Sequence, residues 1–496
     1  MKGDDLSHSF QDPEFLEILA NYEEMVRQQN TRYFESSELI LLAEYYANKQ
    51  DAREADEVIR YALTIHPDNL ELRIYECNSL IAQGRLDEAE QKLNQIPDQQ
   101  DEEVIFIRAN LYLEKDQPEK ADELLIPLAE SEDYDPDMLI DITNLFLDAN
   151  NETYARKWLD KLFECADKGQ ASVLETAAEF YLHFGYYSQA IDCYNQLLDI
   201  DPYQFNYWLN LTRAYLANEQ IEQAFNAIEF ALAVEENHPK ALELKGYCYL
   251  QSENPEEAIQ YFEQILPVTE TPANIYHILE ICYTSLGKIE KSIEYLNKLL
   301  DLPDIPDFER AICYHRLATY YLQVSQPEQS LKSILAGLKH DSGNASLYLS
   351  LGEYYLFMDD KRSAELEFAH AEAFATDSDE VQAQILEVYF RAGYFEKTLQ
   401  LFRQLEKQYP EKAERFYFCA SYCCYILHEE ADLIKYLVRA CIFRQRDGIK
   451  DEQLQPTGLM PKEEDFLKLV LEVKQKIADG SIRPEDYFDI PDKPLP

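Results

Sequence analysis

Apolar residues fall at helical separations, i, i+3, i+4 and i+7, in runs of roughly 12–14 residues. Short polar turns such as Ala82-Gln83-Gly84-Arg85 and Arg391-Ala392-Gly393-Tyr394 interrupt them. Pro118, Pro255 and Pro327 stand just after such turns, in the same phase. Proline is tolerated in the first turn of a helix because its missing N–H forfeits no intrahelical bond. The pattern predicts helices that alternate in pairs along the chain.

The pairs repeat. A small residue follows an acidic or polar stretch at Ala55, Ala89, Ala121, Ala155, Ala190, Ala224, Ala258, Ser292, Ser330, Ala364 and Thr398, with a weaker anchor at Asp432. The gaps are 34 residues, apart from single gaps of 32, 35 and 38. Nine residues before the anchor, ten of twelve copies carry an aromatic residue, where a 12% aromatic composition alone would give one or two. Twelve before it come mostly small residues, among them Ala43, Ala109, Ala178, Gly246 and Gly352. Four after it comes a large side chain, from Ile59 through Phe368 and Phe402 to Tyr436. Small residues let two helices approach, and large ones fill the space between neighbouring copies. A single copy cannot bury its apolar face, whereas a stack buries a continuous one.

This order of small, aromatic, small and large residues resembles the tetratricopeptide repeat. The copy anchored on Ala190 shows it with Ala178, Tyr181, Gly185, Ala190, Tyr194 and Pro202. The resemblance covers residues 36–445 in about twelve copies. It implies an all-α, right-handed α-solenoid whose first helices line a concave groove that binds extended or helical peptides. Residues 1–35 are expected to hold an N-terminal capping helix, with Phe15, Leu16, Ile18, Leu19, Tyr22 and Val26 on its apolar face. Residues 446–496 are expected to hold a C-terminal capping helix rich in apolar residues from Phe466 to Ile477, then a Pro-rich tail. The longest gap contains Pro303 and Pro306, which marks 302–309 as a flex point.

Charge narrows the function. With 94 acidic and 45 basic residues the net charge is −49. Nucleic-acid affinity rests on Lys and Arg displacing phosphate counterions, so no nucleic-acid partner is expected. The same charge is repelled by anionic lipid, and no apolar stretch approaches the length of a membrane span. The polar start, Met1 to Phe10, lacks the apolar run of a secretory leader. Ten scattered Cys fit a reducing compartment, and a cytoplasmic location is expected. Cys419, Cys423, Cys424 and His428 are close enough in sequence to name a metal site. Cys423, however, occupies the aromatic phase, which favours packing. No nucleotide loop, dinucleotide fingerprint or zinc-protease helix is present, so neither enzyme activity nor a cofactor is expected.

The resemblance places the residue eleven before each anchor in the groove. These include Asn78, Asn110 and Asn144, whose amides both donate and accept, then Glu179, Arg213, Tyr247, Glu353 and Glu387. Asn206 and Asn210 share a helix with Arg213. The Lys, Asn and Arg with which chaperone-tail binders of this family clamp a terminal carboxylate are not reproduced. A neutral or basic peptide segment is therefore expected, bound by a non-enzymatic scaffold or adaptor. The alternative is a chaperone or assembly factor that shields client proteins.

Overall fold

Each copy folds as two helices joined by a short turn, because its apolar residues can be buried only when the two stripes face each other and the next copy. The computed structural model describes residues 10, 12–49, 51–131, 133–269, 271–446 and 463–487. The expected Pro-rich tail at 488–496 and the stretch 447–462 lie outside the described residues. Among the described residues no strand occurs, and twelve helix pairs follow one another from Ser36–Asn48 with Ala52–Ile65 to Tyr417–Leu427 with Glu430–Arg446. The fold is an α-solenoid. It divides into two units, Met1–Glu253 and Asn254–Pro496.

The repeat phases become packing positions. All eleven small anchors from Ala55 to Thr398 are buried, as are all twelve large residues four places later. Eleven of the turns are three residues long. The residue five before the anchor turns the chain through the left-handed region, which satisfies the carbonyls left open at the end of the first helix. Gly84, Gly185, Gly287 and Gly393 hold this position with φ between 68° and 80°. In other copies Asp116, Asn150, Glu219, Glu253, Ser325 and Asp359 adopt it at φ 53–60°, despite the cost to a residue with a Cβ. The geometry of stacking therefore dictates the turn, and glycine is an aid to it.

Part of the acidic excess is structural. Asp51, Asp101, Asp135, Asp360 and Asp377 each stand before a helix and accept from its free N–H groups.

In the first unit the N-terminal helix Pro13–Gln28 buries Phe15, Leu19, Tyr22 and Met25. Leu16 and Val26, expected on that face, are 49% and 47% exposed. The buried set follows a 3.6-residue period, and these two fall at its edges. Phe15 and Tyr22 pack on Tyr45 and Tyr46 of the first repeat.

In the second unit the 38-residue gap goes mainly into a helix, and the connection before it, 301–306, is six residues. The helix Asp307–Gln323 has 17 residues, where most first helices have 13, so the four additional residues add one turn to its start. The 302–309 stretch lies inside this unit. Arg310 donates to the carbonyl oxygens of Leu300, Leu302 and Ile305 at 2.8–3.1 Å, which closes the turn before that helix. At the C-terminal end, Phe466 of the helix Glu463–Ala478 is buried against Phe418, Tyr422 and Tyr425, with ring centroids 5.1–5.5 Å apart. Val470 and Val473 complete that face, while Leu471 points outward.

Candidate functional site

In the first unit the first helices of successive repeats lie side by side: Ser36–Asn48 against Leu70–Ala82, and Leu70–Ala82 against Glu102–Glu114. With Pro136–Asp148 they line one concavity of about 710 Å³. Its floor is an apolar stripe of Ile40, Ile74 and Phe106, each fifteen residues before its anchor and each half-buried. Ile107 and Leu145 adjoin it. One edge, a turn earlier on each helix, carries Glu71 and Glu103; the other, a turn later, carries Glu44, Asn78 and Asn144. Glu102, Asp141 and Asp148 add three carboxylates, and no Lys or Arg lines the space.

Electrostatics follow from that composition. Burial raises the Glu44 carboxyl above its usual range, and the neighbouring Glu71 adds to this. Burial also raises Asp141, with Asp137 contributing. The Tyr75 phenol is pushed up to about 12 by burial, then by Glu44 and Asp56. Each shift records a site that resists further negative charge and would be relieved by a cation.

Two of the three expected ladder residues, Asn78 and Asn144, therefore share one groove with Glu44. Asn110 is half-buried on Glu102–Glu114 and does not line the concavity. A second set gathers further along the unit. Arg213 donates to Asn210 Oδ1 at 3.1 Å, and Glu179 and Arg213 both act on the buried Tyr194 phenol. Burial raises the Glu243 carboxyl, and Arg213 partly offsets this. Burial likewise raises the Tyr247 phenol, with Glu243 adding to it. Asn206 is exposed on the same helix as Arg213.

In the second unit Glu353 accepts from Arg391 Nη2 at 2.9 Å and Nε at 3.3 Å. The pair borders a concavity of about 430 Å³ with Thr319, Gln323, Leu356 and Phe357. Glu387 is half-buried on the helix Ser378–Arg391.

Sequence reasoning missed a buried polar cluster in this unit. Glu280 occupies the position twelve before the anchor that most copies give to a small residue, and it is fully buried. Its carboxylate accepts from Arg316 Nη1 and from the Tyr320 hydroxyl. Thr284 Oγ1 lies 2.9 Å from both Tyr320 and Ser292. Nearby, His315 Nδ1 is 2.6 Å from Ser350 Oγ, and burial lowers this imidazole to about 4. A usable signal was available. Such pairs are separated by about one repeat: 36 residues for Arg316 with Glu280, 35 for His315 with Ser350, 38 for Arg391 with Glu353. Cys423 and Cys424 are buried in packing. No group of three or more His, Cys, Asp or Glu that could hold a metal ion occurs among the described residues. Nor is any described helix long and apolar enough to cross a membrane.

Tetratricopeptide repeat families match residues 46–111, 209–275 and 275–304. The family of ChAPs, Chs5p-Arf1p-binding proteins, matches residues 113–231. No curated protein matches the chain by sequence. Among solved structures, a tetratricopeptide repeat protein from Parabacteroides merdae is 21% identical over 51% of this chain and 98% of its own, with a TM-score of 0.36. The C-terminal part of a TPR repeat-containing protein from Cytophaga hutchinsonii is 16% identical over 50% of this chain and 99% of its own, with a TM-score of 0.40. The Cut9–Hcn1 structure is 15% identical over 78% of this chain and 76% of its own, at 0.33. The repeat matches fall on the helix pairs that the anchors delimit, and the chain is a tetratricopeptide repeat protein.

Proposed function

We propose that the protein is an adaptor that binds a neutral or basic segment of another protein in the groove of its first four repeats. The observation that carries this reading is the concavity of about 710 Å³ whose lining has six carboxylates, an apolar floor and no cation. Cationic side chains would relieve the repulsion among those carboxylates, while apolar ones would cover Ile40, Ile74 and Phe106. The match of residues 113–231 to proteins described as binding Chs5p and Arf1p supports a protein partner.

The test is fluorescence anisotropy of labelled peptides with the full chain. A peptide of mixed Lys and Leu binds, its Glu-for-Lys counterpart does not, and affinity falls several-fold from low to high salt as screening sets in. The double variant Ile74→Ser, Phe106→Ser weakens binding at least tenfold. Preference for the acidic peptide, or binding indifferent to that variant, sinks the reading.

A further inference from the structure

The arrangement of the groove selects the conformation of its occupant. Along Leu70–Ala82 the acidic residue, the floor residue and the far-edge residue, Glu71, Ile74 and Asn78, are three and four places apart; Glu103 with Phe106 repeats the first spacing and Ile40 with Glu44 the second. Seven residues at 1.5 Å rise separate the two edges by about 10 Å, close to the 10–12 Å width of an α-helix with its side chains. A single extended strand repeats its same-face side chains every two residues, about 6.5–7 Å apart. Floor residues recur from one repeat to the next at the helix–helix spacing of about 8–10 Å. A bound helix presents residues i and i+7 about 10 Å apart on one face.

We infer that the groove takes an amphipathic α-helix with one apolar stripe. The stripe would lie on Ile40, Ile74 and Phe106. Lys or Arg along one flank would meet Glu71 and Glu103. Polar or basic residues along the other would meet Glu44 and the amides of Asn78 and Asn144. This rests on the groove-binding reading above and adds the helical conformation and the two-sided charge pattern. Charge complementarity selects the occupant. A second copy of this chain carries −49 itself and would be repelled.

Three peptides of identical Leu and Lys composition separate the possibilities: one with Leu at i, i+3, i+4 and i+7, one with strict alternation, and one permuted to have neither stripe. The full chain binds the helical pattern at least tenfold more tightly than the other two, and a central proline in that peptide removes the advantage. The double variant Glu71→Gln, Glu103→Gln weakens it several-fold at low salt and leaves the far-ultraviolet circular dichroism unchanged. Equal affinity for the permuted peptide overturns the inference, since charge alone then suffices. Tighter binding of the alternating peptide that Ile74→Ser, Phe106→Ser abolishes overturns the helix while leaving the groove reading intact. Failure of all three peptides overturns both.

Discussion

Gly352→Ala tests whether helix spacing in the second unit is set by side-chain volume or by helix propensity. Gly352 lies inside the helix Ala345–Phe357, in the small-residue position of its copy. A Cβ added there would sit 2.2 Å from Cε1 of Phe368, 2.6 Å from Cδ1 and 2.8 Å from Cζ. Carbon atoms in favourable contact are about 3.5–4.0 Å apart, so the ring would have to retreat by more than about 1 Å. Phe368 is itself buried and packs edge-on against Tyr389, with centroids 5.2 Å apart, so retreat displaces a second ring. Alanine gains about 1 kcal/mol over glycine in a helix interior. Overpacking a filled core costs about 1–3 kcal/mol. The clash, counted before that gain, belongs at the upper end because aromatic rings rather than flexible methyl groups are struck. The net expectation is destabilisation by about 1–2 kcal/mol, read from urea unfolding of the full chain. Gly337→Ala is the comparison: its nearest neighbours are the Leu347 methyls at 2.8 and 2.9 Å and Tyr314 Cβ at 3.0 Å, so its effect should be smaller. Phe368→Leu should couple favourably with Gly352→Ala in a double-mutant cycle. A Gly352→Ala protein as stable as the parent, or more stable, refutes this account of the spacing.

Glu280→Ala removes a buried carboxylate and with it the acceptor of the Tyr320 hydroxyl, leaving Thr284 as that hydroxyl's partner; Arg316, a third exposed, can turn to water. Destabilisation of about 1–3 kcal/mol is expected by denaturation, and no change would refute a structural role for the cluster. His315 binds its proton less readily folded, at about 4, than unfolded, at about 6.5. Its contribution is present above the unfolded value and is lost as pH falls from 6.5 towards 4. His315→Gln should flatten that part of the stability–pH curve by about 1–3 kcal/mol, and an unaltered acid limb would count against it. Glu219→Gly relieves a left-handed residue at φ 58° on an exposed turn and should stabilise by up to about 1 kcal/mol in thermal melts. A loss of stability there would mean that the turn is unstrained.

The tetratricopeptide fold was legible because its determinants are local and repeated. Small anchors and three-residue turns recur eleven times and the large residues four places on twelve times, so noise in one copy is averaged by the others. The groove was legible only in part. Asn78 and Asn144, which border the concavity, were expected on a groove because the phase eleven before the anchor could be carried over from the family. Ile40, Ile74 and Phe106 were not, because a single apolar residue one turn away is indistinguishable in sequence from core.

The sequence by itself determined the period, the pairing of helices and the buried anchor positions of each repeat, since these follow from spacing along one helix and its partner. Tertiary structure alone decided which charges meet. Stacking brings together residues about one repeat apart, and a shift of a few residues changes the outcome. Thus Arg391 takes the carboxylate of Glu353, expected to be open to a partner's cation. Glu280 is buried on Arg316, and six acids of the first four repeats converge on one concavity that no Lys or Arg lines. Charge placement depends on the distance between helices, and composition records only its sum.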